Sequence, residues 1–287
     1  MPDAAPTRAL VVEGGAMRGI FAAGVLDCFI EHDYNPFQFA LGVSAGSTNL
    51  IGYLAGDHGR SRRILFEHAG TEDFLNWRRY LKGGHFADVS WLWHQSFNDV
   101  PLSVTRYLEG QCPLYVVTTE VATGQALYTQ VNADNLHQVF PASCAIPLVY
   151  RDFPLLDGRA MTDGGLADSI PVLKAYEMGA RDITVVLSNP RGFRKVERQI
   201  PQFMRRLFDD HPQLFEAVVR RSAIYNQAID FIDHPPRDCR VTAIAPPKGF
   251  PVGRFTQDHY KLHVGYSMGH VEAGKIFVKP RGGAYVD

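Results

Sequence analysis

The sequence predicts an α/β fold on a mostly parallel sheet covered by helices. Three observations predict it. The apolar runs at residues 9–12 and 37–43 are continuous rather than alternating, as in strands buried on both faces. A helical stretch at 20–31, apolar on most sides, lies between them and gives a strand, helix, strand order. Both runs then pass through a glycine-bearing turn into helix, as repeated βα units do.

Taken in order, the elements extend this reading. A second helix begins just after Ser44 and runs to about residue 55. Residues 57–110 hold all three tryptophans (Trp77, Trp91 and Trp93) and the basic pairs Arg62-Arg63 and Arg78-Arg79, without a strand pattern. They read as helices and loops inserted after the core begins, a candidate cap over a site. Strands follow at 113–119, 126–131, 160–162 and 183–187. A long helical pattern at 202–232 is interrupted at His211-Pro212, proline turns flank a strand at 239–245, and a final helix spans 256–277. With no internal repeat or low-complexity linker, residues 1–287 read as one domain.

Composition bounds the function. A chain of 287 residues with 46% apolar side chains can build a full-sized core, burying roughly 74% of its extended surface. The balance of 29 basic against 30 acidic residues gives no general attraction to a polyanion, so nucleic acid is not an expected partner. Cys28, Cys112, Cys144 and Cys239 are scattered, without a metal-type pair or a disulfide-dense pattern, which suits a reducing, cytoplasmic setting. The first seven residues lack a basic stretch leading into an apolar one, and the apolar run 20–30 is short of the ~20 residues of a membrane span. The expectation is a soluble protein, at most peripheral to a membrane.

Three pieces point to chemistry. Gly42-Val43-Ser44-Ala45-Gly46 fits G-x-S-x-G in the strand-to-helix setting that the motif requires. Small residues fit the crowded turn at Gly42 and Gly46, and the helix start lends amides to developing negative charge, making Ser44 a candidate nucleophile. A tight turn with Ser44 merely satisfying nearby amides is the other reading. Gly14-Gly15-Ala16-Met17-Arg18-Gly19 follows the first strand, where its backbone amides can point outward as an oxyanion hole. Arg18 suits either a place beside the oxyanion or a structural ion pair. Neither turn has the spacing of a dinucleotide or triphosphate loop. Asp163-Gly164-Gly165 closes a short strand with a tight reversal that leaves a carboxylate at the strand end. Acting on a serine, that carboxylate needs a dry, constrained setting, because an ordinary aspartate has a pKa near 3.9.

In order and spacing these pieces, with the Pro141-Ala142-Ser143-Cys144-Ala145-Ile146-Pro147 segment before Asp163, resemble the patatin-like phospholipase family over about residues 9–176. The resemblance implies a three-layer α/β/α fold, and a Ser-Asp dyad that hydrolyses acyl esters of lipids without cofactor, metal or catalytic histidine. Ser44 is then the nucleophile, Asp163 its base, and the amides around Gly14, Gly15 and Ala16, with Arg18 and Gly19 in the same loop, the oxyanion hole. Ala16 stands where the family usually has a third glycine, and it is strained if that position needs positive φ. Residues 177–287 complete the fold.

Two alternatives stay open: an α/β-hydrolase esterase with a Ser-Asp-His triad, drawing on His259, His263 or His270, and a non-catalytic lipid-binding or regulatory protein on the same fold. The three histidines fall within about 40° on one helix, read as a polar face rather than a metal site. The aromatic and basic residues of 74–93 suit either a lipid interface or packing against the core, and packing is the preferred reading for tryptophan.

Overall fold

A computed structural model describes residues 6–197 and 205–278; the start of the 202–232 pattern lies outside the described residues. The strands are β1 (Arg8–Val12), β2 (Phe39–Val43), β3 (Leu114–Glu120), β4 (Ala126–Gln130), β5 (Leu155–Leu156), β6 (Arg159–Asp163), β7 (Asp182–Val186) and β8 (Arg240–Ile244). They form one sheet in the order β5-β6-β3-β2-β1-β7-β8, with β4 also paired to β3. Strands β8, β7, β1, β2 and β3 are parallel, whereas β4 and β6 run antiparallel to β3.

The helices are α1 (Gly19–Glu31), α2 (Ala45–Leu54), α3 (Arg60–Glu67), α4 (Trp77–Leu81), α5 (Val89–Asp99), α6 (Val104–Glu109), α7 (Leu136–Cys144), α8 (Val172–Glu177), α9 (Pro212–Asp233) and α10 (His259–Gly274). Strand alternation explains the layers. In β1, Leu10 and Val12 join Phe21, Val25, Leu50 and Phe140 in one core, while Ala9 and Val11 join Val172, Tyr225 and Ile229 in a second. Both faces are therefore dry, as the continuous apolar runs required.

The expected apolar surround of α1 has a specific partner. Helix α10 crosses it so closely that a Cβ on Gly24 would lie 2.1 Å from the Tyr266 carbonyl oxygen, and one on Gly269 would lie 2.0 Å from that of Phe21. The crossing is open only to residues without a side chain.

Segment 57–110 folds into α3 to α6, as expected of a helical insertion. Sequence periodicity missed α7, α8 and β5. Helix α7 carries Pro141 in its interior, and α8 and β5 span six and two residues, too short for a periodic signal. No described helix is long and apolar enough to cross a membrane.

Candidate active site

Ser44 sits in the turn from β2 to α2 with φ +51°, a left-handed value that serine adopts only when its surroundings impose it. Three hydrogen bonds impose it. The Ser44 N–H donates to Ser143 Oγ at 2.9 Å, the Ser143 hydroxyl donates to the Val117 carbonyl at 2.6 Å, and the Ser47 hydroxyl donates to the Ser44 carbonyl at 2.7 Å. A Cβ on Gly46 would lie 2.5 Å from the Val12 carbonyl oxygen, so the turn's small residue is a steric requirement.

The register of β3 brings the second residue to the first. Val117 pairs with Val43, the last residue of parallel β2, and Thr118 pairs with Asp163, the last residue of antiparallel β6. Because β4 occupies the other edge of Tyr115–Thr119, β2 and β6 share one edge and end head to head. Ser44, one residue beyond Val43, therefore meets Asp163. The Ser44 hydroxyl lies close enough to the carboxylate to favour its charged form, and both side chains line one small polar pocket.

Asp163 is buried, and desolvation pushes its pKa up. The Ser44 hydroxyl, the Gly165 N–H donating to Oδ1 at 2.7 Å, and the charges of Arg221 and Arg254 oppose that rise. The Asp-Gly-Gly reversal is needed because a Cβ on Gly164 would lie 2.2 Å from the Val117 carbonyl oxygen.

Gly14, Gly15 and Ala16 line the same pocket, and among the described residues their N–H groups meet no protein acceptor. Ala16 has φ +49°, the positive value at which an alanine is strained. The other two loop residues turn away. Arg18 donates to Asn189 Oδ1 and lines neither cavity, which favours its structural reading. Gly19 abuts Ala45, and its carbonyl accepts from Asn49 Nδ2 at 2.7 Å.

On the other side of Ser44 opens an apolar cavity lined by Met17, Ile64, Leu65, Leu92, Trp93 and Phe140 among others. Helices α3 and α5 build much of its wall, so the inserted segment does roof this site. Cys144 also lines it, but burial and the Asp163 charge push its thiol up to about 12. The thiol beside Ser44 therefore stays protonated and a poor nucleophile.

A family model described as patatin-like phospholipase matches residues 10–176. This chain belongs to the patatin-like phospholipase family. A second model, of a domain of unknown function (DUF6363), matches residues 211–278. The uncharacterized protein YjjU of Escherichia coli (strain K12) is 32% identical over 244 residues, which cover 84% of this chain and 68% of that one. Among solved structures, VipD from Legionella pneumophila is similar with a TM-score of 0.50 at 11% identity, covering 94% of this chain. This chain spans 66% of the length of that structure, and the likeness is one of fold. Human GIVD cytosolic phospholipase A2 is also similar, with a TM-score of 0.36 at 13% identity over 64% of this chain and 41% of that one.

The three histidines singled out in the sequence of this patatin-like chain lie apart from the site. His270 contacts Glu31 at 2.7 Å, His259 meets the edge of Phe66, and His263 is exposed. None of the three lines either cavity. Trp93 is 4% exposed and stacks on Phe140, as packing predicts, but Trp77 is 64% exposed. Sequence reasoning gave no role to Ser143, Lys195, Arg221, Arg254 or Arg60. Ser143 lies inside the Pro141–Pro147 segment, whereas Lys195, Arg221 and Arg254 are isolated cations that only the fold brings to one pocket, and Arg60 is a lone cation in the apolar cavity wall.

Proposed function

We propose that this chain is a serine-dependent acyl hydrolase that cleaves carboxylic esters of lipids, with Ser44 as nucleophile and Asp163 as its base. The reading rests on one observation above all: the β3 register sets Ser44, which lines an apolar cavity, against a buried carboxylate. Family membership supports lipid esters as the substrate class.

Each step follows from a named group. Asp163 accepts the hydroxyl proton as Ser44 Oγ attacks the ester carbonyl carbon, and the unpartnered N–H groups of Gly14, Gly15 and Ala16 receive the tetrahedral oxyanion. The alcohol leaves with the proton from Asp163. Water, deprotonated by Asp163 in turn, attacks the acyl-serine carbonyl, and as the bond to Ser44 Oγ breaks Asp163 returns the proton to that oxygen and the carboxylic acid is released. The acyl chain occupies the apolar cavity throughout.

The test is hydrolysis of p-nitrophenyl esters from C4 to C16 by the native chain, Ser44→Ala and Asp163→Asn, with fluorophosphonate labelling of the same three. Turnover and labelling by the native chain, both lost in Ser44→Ala, is the expected result. Equal behaviour of all three folded proteins would sink the reading and favour a lipid-binding role.

A further inference from the structure

The polar pocket beside Ser44 has a cationic wall made outside the 10–176 family match. Lys195 lies in the loop after β7, Arg221 in α9, and Arg254 in the turn before α10, and all three line the pocket with Ser44 and Asp163. Of these, Arg221 breaks a pattern. The inward side of α9 carries Leu214, Ala217, Tyr225, Ala228 and Ile232, all buried, at the three- and four-residue spacings of one helical stripe. Arg221 stands four residues after Ala217 and four before Tyr225, so a guanidinium takes a place that packing alone would fill with an apolar side chain. Burial and the Arg254 charge lower its pKa, the mark of a cation that its surroundings disfavour. Among the described residues it forms no ion pair that would offset this cost.

What the guanidinium does make is one short hydrogen bond. Its Nε donates to the Gly165 carbonyl at 2.7 Å, the Ser169 hydroxyl donates to the same oxygen at 2.7 Å, and Lys195 Nζ donates to Ser169 Oγ at 3.3 Å. Gly165 is thereby held from its carbonyl side, while its N–H donates to Asp163 Oδ1 at 2.7 Å. A Cβ on Gly165 would meet Asp163 Oδ1 at 2.9 Å and Arg221 Nη2 at 3.8 Å, so carboxylate and guanidinium are arranged around one glycine. The other charged or titratable groups near this carboxylate are Arg254 and the protonated Cys144 thiol, with Glu13 and Lys195 lining the same pocket. Glu13 is engaged by the Ser188 N–H at 2.6 Å and by Asn189 Nδ2 at 3.2 Å.

The structure assigns Arg221 as the positioning residue of the catalytic base: through the Gly165 carbonyl it fixes the glycine whose N–H holds Asp163 Oδ1. The assignment rests on the reading of Ser44 and Asp163 as a dyad. Two effects follow. A carboxylate held in one orientation is aimed at the Ser44 proton before substrate arrives, and the guanidinium charge favours its ionised form against the effect of burial. Because α9 falls within the 211–278 segment, the stretch that matches a domain of unknown function supplies part of the active site as well as part of the fold.

The experiment compares Arg221→Met and Arg221→Lys with the native full chain. On p-nitrophenyl butyrate, Arg221→Met should lower kcat about tenfold or more with KM within about twofold, and move the acid limb of kcat/KM to higher pH. Arg221→Lys keeps the charge and should return the limb most of the way. Methionine continues the apolar stripe, so Arg221→Met should melt at or above the native temperature even as activity falls. A lower melting temperature with kcat lost in parallel, or an acid limb that stays in place, would overturn the assignment and leave Arg221 a structural residue. Carboxyl 13C NMR of aspartate-labelled Ser44→Ala, with Asp163→Asn identifying the resonance, reads the same group without turnover. Adding Arg221→Met should move its titration upward, and an unmoved titration overturns the assignment whether or not the native chain is active. An inactive native chain in which the titration does move counts against the dyad alone.

Discussion

The backbone amide of Ser44 is held by the hydroxyl of Ser143, a residue 99 positions away in sequence, at 2.9 Å. Ser143 passes the constraint on to β3 through the Val117 carbonyl, so one buried hydroxyl ties the β2 turn, α7 and the sheet together. Ser143→Ala leaves the Ser44 N–H without a partner. The expected cost is about 1–2 kcal/mol of stability, and about a tenfold fall in kcat for p-nitrophenyl esters with KM little changed. An equal loss in kcat and gain in KM would mean that Ser143 shapes binding instead.

Activity should fall on the acid side at a pH above the ordinary aspartate range. Asp163 works as a base only when ionised, and burial raises its pKa, so protonation silences it at a higher pH than it would an exposed aspartate. Arg254 opposes that rise, and Arg254→Gln is therefore expected to move the acid limb of kcat/KM further upward. A limb that moves downward or stays in place would show that Arg254 does not act on this carboxylate.

Much of this site was legible in the sequence because its demands are local. Gly46 and Gly164 are fixed by backbone approaches within 2.5 Å, which no side chain survives, and such positions leave a recognisable motif. The strain suspected at Ala16 is present as φ +49°. The cationic wall was not legible, because Lys195, Arg221 and Arg254 stand 26 and 33 residues apart and follow no spacing rule. Only the order in which β7, α9 and the turn before α10 return to the sheet edge brings them together.

Ala16→Gly tests that strain directly. Left-handed backbone costs alanine about 1 kcal/mol more than glycine, so the variant should melt about 2 °C higher. A lower melting temperature would show that the Ala16 methyl contributes more by contact than its conformation costs.

At the mouth of the apolar cavity, Phe255 meets the edge of Phe86, and Phe86 packs on Trp77 at 4.3 Å. Trp77 and Leu81 are 64% and 82% exposed, which gives this rim an apolar surface of the kind that enters a lipid interface. Trp77→Ala should reduce hydrolysis of vesicle-borne ester several-fold more than hydrolysis of a soluble short-chain ester. Equal reductions would assign the ring to packing alone.

Arg60 lines the apolar cavity. It is 2% exposed, its Nε donates to the Val100 carbonyl at 3.1 Å, and its two terminal nitrogens have no partner among the described residues. The Asp57 carboxylate, whose charge it feels, is engaged by the Ser103 N–H and hydroxyl at 2.8 and 2.6 Å. Burial accordingly lowers its pKa to about 10. Its Cδ lies 3.8 Å from where a Cβ on Gly52 would sit, and Gly52 is eight residues beyond Ser44 on α2, or about 12 Å along the axis. At roughly 1.2 Å per bond of an extended chain, about ten carbons from Ser44 bring an acyl tail to this guanidinium, where further methylenes meet a desolvated charge. Esters of about C8 to C10 should therefore be preferred over C16. Arg60→Met removes the charge and keeps much of the volume, so it should raise relative C16 turnover about tenfold and leave stability unchanged or about 1–3 kcal/mol higher. A loss of about 3–5 kcal/mol would instead reveal a paired arginine and sink this account of the cavity.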